Sequence, residues 1–401
     1  MVVRPAPLAP GEDARPATLP RLAPALAAMT GLQAIVAAAL FAPGVIAPSA
    51  GLDAARLAVW STVVFAVGTA TAFFGGRLVR TRGSAATAIS CALAVAAGAA
   101  ILSGSTGLVA LVVAGVAVGL AFGPETPAST ALLAALTPPA RRPLVLSVRQ
   151  TGNQIGAAGA SLVLPVVAAT AGAGAAFGLV GVAALLLAGC LALLARRWRG
   201  VGTIGAPLAL PAVLRLLRER RDLNRLALVS VPWGALQLLV NGWFVLLMIE
   251  TRGLDPIGAG RLLAVAQIGG LVGRLGWGAV ATVTGTRPLL VGLGVVMGIA
   301  AIGSAIAGTA LPSTLLWPTA AVLGLTASGW NGIFVAEVAR LAPEGRVAET
   351  TGAVLTVSYL GLVVGPLVIA LVTAIAGLAS AFVVIGAAAA LAAVFLSRGL
   401  P

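Results

Sequence analysis

Twelve separate runs of about twenty or more apolar residues fill this 401-residue chain, and they leave few folds open. A helix of that length crosses the roughly 30 Å hydrocarbon core of a bilayer. Backbone N–H and C=O groups find no partners in hydrocarbon, so spanning segments must be helices or a closed barrel. A barrel would alternate polar and apolar residues over strands of about ten residues; these runs do not alternate. The charge content agrees, with 9% charged residues and a mean hydropathy of +1.08, against roughly 25% charged in soluble domains. The expected fold class is an all-α membrane protein with twelve transmembrane helices.

The predicted spans are 22–47, 54–76, 84–103, 107–136, 144–169, 173–195, 225–249, 257–280, 288–309, 314–340, 349–375 and 379–397. Short connections carry turn formers such as Pro43-Gly44, Gly83, Pro138-Pro139, Gly253 and Pro256. The one long connection, 196–224, holds Arg196, Arg197 and Arg199 and then the segment Leu214–Asp222, where four arginines stand beside Leu214, Leu216 and Leu217. That pattern predicts an amphipathic helix on an anionic membrane surface. It divides the chain into six-helix units at 22–195 and 225–401. Residues 1–21, rich in Pro and Ala, lack the basic and apolar segments of a secretory signal and read as a disordered cytoplasmic tail.

A net charge of +14 could suggest nucleic acid, but the positions of the charges do not. All 25 basic residues are arginine, and 22 of them cluster on the side of the N-terminus and the long connection. Only Arg56, Arg252 and Arg261 fall on the other side. An excess of arginine marks cytoplasmic loops, so both termini are expected in the cytoplasm. The Arg-only, Ala/Gly/Val-heavy usage suggests a GC-rich bacterium and hence its inner membrane. Cys91 and Cys190 lie in separate apolar runs and read as small core residues. No Cys/His/carboxylate cluster could hold zinc, and no nucleotide-binding loop or Ser/His set occurs. No cofactor, metal or enzymatic activity is expected.

The two halves repeat one another. Arg21-Leu22-Ala23 and Leu32-Gln33 recur 204 residues on as Arg225-Leu226-Ala227 and Leu236-Gln237. Gly51-Leu52-Asp53, Gly76 and Gly83 recur at 202 as Gly253-Leu254-Asp255, Gly278 and Gly285. Gly119, Pro138, Arg141, Gly156 and Gly172 recur at 205. A nearly constant offset across six spans is a parallel repeat about an axis along the membrane normal, with a central site where the halves meet.

With that repeat, the chain from about residue 20 resembles the major facilitator superfamily. The family's motif between helices 2 and 3, G-x-L-x-D-R-x-G, appears as Gly76-Arg77-Leu78-Val79-Arg80-Thr81-Arg82-Gly83, with its repeat at Gly278–Gly285. The glycine frame is kept, but the acidic position is Arg80 in one half and Thr282 in the other. The family's antiporter motif G-x-x-x-G-P occurs in the eleventh span, at Gly361–Pro366, instead of the fifth. The resemblance implies two pseudo-symmetric six-helix bundles that rock about a central site. It also implies a gate at the arginine-rich face built from Gly76, Arg80, Gly83, Gly278 and Gly285. Arg274 either belongs to that gate or holds a substrate carboxylate, as an eighth-span arginine does in the oxalate/formate and monocarboxylate carriers.

Charges inside a span are costly and usually face a cavity. Glu125, about 16 Å of helix rise from the arginine-rich face, is the carboxylate farthest from both surfaces. It sits in Gly123-Pro124-Glu125-Thr126-Pro127, where two prolines should break and bend the helix. Arg149 in the fifth span either snorkels, reaches Glu125 or binds an anion, and Asn153 and Gln154 extend its polar face. Trp330 and Asn331 match Glu125-Thr126 in the repeat, and Tyr359 matches Gln154. Gln33 and Gln237 are likewise equivalent, with Asn241 one turn beyond. Each of these reads as a substrate contact or as a helix–helix hydrogen bond. With no His or Lys, Glu125 is the candidate proton carrier. The expected partners are a small-molecule substrate, the bilayer and protons, the chain acting as a monomer. The expected function is secondary transport, by proton coupling or exchange, of a small organic anion. Efflux of amphipathic drugs and a non-transporting sensor or partner role remain open.

Overall fold

The computed structural model describes residues 19–138, 141–198, 219–306, 312–343 and 347–398. They form α1 (Leu19–Val45), α2 (Ala54–Arg82), α3 (Ser84–Gly104), α4 (Leu108–Leu136), α5 (Arg142–Gln150), α6 (Gly152–Ala171) and α7 (Ala173–Ala195). The second half holds α8 (Arg221–Arg252), α9 (Pro256–Thr284), α10 (Thr286–Ile306), α11 (Leu316–Ala327), α12 (Asn331–Leu341), α13 (Val347–Ala376) and α14 (Leu378–Ser397). These make twelve spans long and apolar enough to cross a membrane, since α5–α6 and α11–α12 are each one span with a break. Most of the tail, 1–18, and most of the amphipathic segment expected at Leu214–Asp222 lie outside the described residues. The last three residues assigned to the tail, Leu19–Arg21, already belong to α1.

The repeat is written into the backbone. Among the described residues six glycines carry positive φ, and they form three equivalent pairs: Gly51 and Gly253 (65° and 63°), Gly83 and Gly285 (84° and 82°), Gly172 and Gly377 (87° and 84°). Gly83, Gly172, Gly285 and Gly377 also have ψ between 153° and 162°. That region is open only to glycine. Each is the sole residue between two antiparallel helices, so the chain reverses across the membrane at one residue. Asp53 and Asp255, equivalent too, cap α2 and α9 by accepting from backbone N–H groups of the first turn.

The fourth span does not break at its prolines; α4 runs unbroken through Pro124 and Pro127. The prolines take the usual N–H donors from the carbonyls of Leu120 and Gly123, and side-chain hydroxyls bond other carbonyls of the same stretch. Ser129 Oγ donates to the carbonyls of Glu125 (2.8 Å) and Thr126 (3.2 Å), and Thr71 Oγ donates to that of Gly119 (3.2 Å). At Gly123 the two helices are so close that a Cβ would lie 2.2 Å from Thr71 Oγ1, and this contact splints α4 along α2.

The break appears instead at the equivalent place in the other half, Ser328-Gly329-Trp330, between α11 and α12. Side chains have taken the carbonyls there. Trp330 Nε1 donates to Ala327 O (3.1 Å), while Arg274 Nε (3.0 Å) and Asn331 Nδ2 (3.3 Å) donate to Ser328 O. The second break, at Thr151, was not expected from the sequence. Both the N–H (3.0 Å) and the hydroxyl (2.6 Å) of Thr151 turn back to Val148 O.

The bundles meet through α2 with α13, α6 with α9, and α1 with α8. On the face opposite the arginines the meeting is backbone to backbone. A Cβ at Gly44 would lie 2.1 Å from Gly242 O, and Trp243 Nε1 donates across to Ala54 O (3.2 Å). The core is built mainly of Ala, Val and Leu, small enough to let helices approach closely.

The two glycines of the second motif should behave oppositely. Gly285→Ala forces a side chain into the glycine-only region and should cost about 1–3 kcal/mol. Gly278 is helical with open space around it, so Gly278→Ala should be neutral or slightly stabilising. Thermal unfolding of both variants in detergent checks this; equal shifts would contradict it.

Candidate functional site

A carboxylate and a guanidinium are paired inside the first bundle. Glu125 on α4 and Arg149 on α5 are 3% and 2% exposed, and Arg149 Nη2 donates to Glu125 Oε1. Arg149 therefore reaches inward and does not snorkel to the surface. The carboxylate also accepts from Thr126 Oγ1 (3.1 Å) and, at longer range, from Ser129 Oγ (3.5 Å). Arg149 Nη2 lies 3.3 Å from Thr126 Oγ1. Arg149 Nε is buried without a partner, leaving one donor unused.

Gln154, one helical turn beyond the Thr151 break, is 1% exposed, and neither its amide oxygen nor its amide nitrogen has a partner among the described residues. An unpaired buried amide is costly. It sits where the halves converge: a Cβ at Gly270 on α9 would be 3.5 Å from Gln154 Cγ and 2.7 Å from Ser328 Cβ. Ser328 O accepts from Arg274. The structure thus brings Gln154 of one half to the Gly270–Ser328–Arg274 corner of the other.

Arg274 lies deeper than the sequence suggested. The predicted eighth span ends at 280, but α9 continues to Thr284. Arg274 is therefore about 15 Å of helix rise from that end, comparable with Glu125. No acidic side chain pairs with it among the described residues.

The amides form two local sets. Gln33 Nε2 on α1 donates to Gln150 Oε1 on α5 (3.3 Å), with Gln33 Oε1 unpartnered. Asn331 Nδ2 on α12 donates to Gln237 Oε1 on α8 (3.1 Å). Asn241 is buried and accepts from Gln267 Nε2 (2.7 Å), whose own oxygen is unpartnered. Gln267 was missed in the sequence; a lone amide inside an apolar span was the available signal. Asn153 and Tyr359 are half-buried. Tyr359, from the second half, lies within electrostatic reach of both Glu125 and Arg149.

Trp330 does not line a wall. It is 3% exposed and packs edge-on to Trp233 (5.3 Å) and Phe334 (5.1 Å) in the core of the second bundle. Its indole N–H is spent on Ala327 O.

Among the motif residues, Gly76 is buried and Gly278 exposed within their helices, Arg80 is exposed, and Gly83 and Gly285 are the helix-reversing residues described above. A separate cluster lies near the arginine-rich end of the second bundle. Glu337, fully buried, accepts from Thr286 and, bidentately at 2.7 Å each, from Arg340. It ties α10 to α12. No group of His, Cys, Asp and Glu could hold a metal among the described residues.

A family model described as Major Facilitator Superfamily matches residues 25–366. Among solved structures, the nucleoside transporter NupG superposes with a TM-score of 0.75 at 12% identity, covering 94% of this chain and 99% of that one. A bacterial homolog of the human lysosomal transporter Spinster, inward-facing and unoccupied, gives 0.70 at 17%, covering 95% and 96%. The peptide transporter POT in complex with sulfate gives 0.74 at 16%, covering 93% and 94%. No curated protein matches this chain.

Removing one member of a buried ion pair strands the other. Arg149→Ala should therefore destabilise the protein by about 3–5 kcal/mol, while the double variant Glu125→Gln/Arg149→Met should recover most of that. Unfolding in detergent measures both; a single variant as stable as the wild type would show that the pair is not desolvated.

Proposed function

The chain belongs to the major facilitator superfamily, a family of membrane transporters, and on that premise we propose that it carries a small organic anion together with a proton by alternating access. The two bundles rock about the site between Glu125–Arg149 and Arg274. The arginine-rich face is the cytoplasmic one, in the inner membrane of a bacterium. We read the conformation described as closed on the opposite face and turned towards the arginine-rich one. The backbone contact of Gly44 with Gly242 on the opposite face supports this reading, as do the half-buried side chains of Gln33, Gln237, Asn153, Asn331 and Tyr359.

The observation that carries the proposal is the buried Glu125–Arg149 pair, with Arg274 of the other half, which has no acidic partner among the described residues, bonded to Ser328 at the corner that Gln154 reaches. Glu125, Arg149 and Arg274 sum to two guanidiniums and one carboxylate, a balance that favours an anion. The same pairing disfavours a cationic drug, because the mid-membrane acid is already engaged. Coupling follows from the cost of an unpaired charge in low dielectric. With the site empty, Glu125 neutralises Arg149. When an anion takes Arg149, Glu125 must accept a proton, or two negative charges share one guanidinium. Only the empty pair and the doubly loaded site avoid a stranded charge at Arg149, and only those states reorient. Gln154, with both amide atoms free, is the neutral contact for the substrate.

Glu125→Gln should abolish proton-driven uphill accumulation in proteoliposomes yet spare exchange; undiminished uphill transport would refute the assignment. Arg274→Gln removes a charged hydrogen-bond donor worth about 1.5–3 kcal/mol. It should raise KM for carboxylates about tenfold or more, and unaltered carboxylate affinity would return Arg274 to a gating role. Thermal-shift screening of small carboxylates against sugars and cationic drugs identifies the substrate class.

A further inference from the structure

Away from the bundle interface, a cleft of about 570 Å³ runs between α2, α3 and α4. Its walls include Phe74, Leu78, Ala94, Leu120 and Pro124. The cleft also holds three hydroxyls, but each is already bonded to a backbone carbonyl: Thr71 to Val67 O (2.8 Å) and to Gly119 O on α4 (3.2 Å), Thr81 to Arg77 O (3.0 Å) and Ser90 to Ala86 O (3.0 Å). A polar solute there would leave its groups unpaired, whereas a hydrocarbon chain would not. Phe74 is 65% exposed and Leu120 is 48% exposed, so the cleft opens sideways, where the bilayer lies.

The other end is different. Arg77 and Arg82, in the last turns of α2 at the arginine-rich face, also line the cleft. Both are exposed, and neither has a carboxylate partner among the described residues. An apolar slot ending in two cations matches one chemistry: an acyl chain with an anionic headgroup. We infer that this cleft binds an anionic phospholipid of the surrounding leaflet, with its phosphate on Arg77 and Arg82 and an acyl chain between Phe74 and Leu120. The internal repeat supplies a contrast. The positions equivalent to Arg77 and Arg82 are Ala279 and Thr284, so the second bundle cannot make the same headgroup contacts. The two headgroup arginines thus belong to the first half alone.

Native mass spectrometry of the full chain in detergent, titrated with dioleoylphosphatidylglycerol or dioleoylphosphatidylcholine, tests this. Phosphatidylglycerol should bind the wild type more tightly than phosphatidylcholine. Arg77→Gln/Arg82→Gln should weaken it by about fivefold per arginine removed and leave phosphatidylcholine unchanged. Arg197→Gln, at an exposed arginine outside the cleft, should have no effect. Leu120→Trp, filling the slot with the charges intact, should also weaken binding. The inference is overturned if the double arginine variant binds phosphatidylglycerol as the wild type does, if Arg197→Gln costs as much, or if Leu120→Trp changes nothing.

Discussion

A carboxylate and a guanidinium can share the interior of a membrane protein only by facing one another, and the Glu125–Arg149 pair imposes that condition on everything around it. Each charge alone would cost several kcal/mol to bury. The pair therefore fixes α5 against α4 at one height, and Thr126 and Ser129 complete the shell. The Thr151 break follows directly after the arginine's turn, so α5 is set separately from α6, whose Gly152 and Gly156 lie against the backbone of α1. Under the proposed function, the same condition gives the pair its use: a site that is stable only when neutral accepts an anion and a proton together or neither.

The second constraint is that no backbone polar group can be left open in lipid. Where this chain departs from regular helix, side chains fill the vacancy. The two halves answer the constraint differently at equivalent positions. In the first, prolines at 124 and 127 remove donors, yet the helix stays continuous, packed closely on α2 at Gly123 and Thr71. In the second, Trp330, Arg274 and Asn331 take the carbonyls of residues 327 and 328, and the helix opens. The pseudo-symmetric frame of paired glycines thus carries an asymmetric site, with the ion pair in one bundle and a broken helix holding Arg274 in the other.

The frame was legible in the sequence because it rests on local rules. Apolar run length gave twelve spans, and the offsets of 202 to 205 gave the repeat that the six positive-φ glycines display. The helix breaks were not legible. Pro124 and Pro127 signal a break by local chemistry, but lateral contacts from α2 override it. The break at 328–330 depends on Arg274, which is distant in sequence. Trp330 was misplaced for a related reason: equivalence to Glu125 predicts its depth but not the direction of its ring, which packs on Trp233. Of the polar residues found by position alone, Gln33, Gln237, Asn241 and Asn331 fall into partnered sets, and Gln154 does not.

The central claim is that anion binding and protonation of Glu125 are one event. Its most direct measurement is proton uptake by purified protein in weakly buffered detergent, read with an indicator dye, on addition of a small carboxylate that raises its melting temperature. The account predicts uptake approaching one proton per bound anion in the wild type and none in Glu125→Gln. Binding without uptake in the wild type, or equal uptake in both proteins, would contradict it.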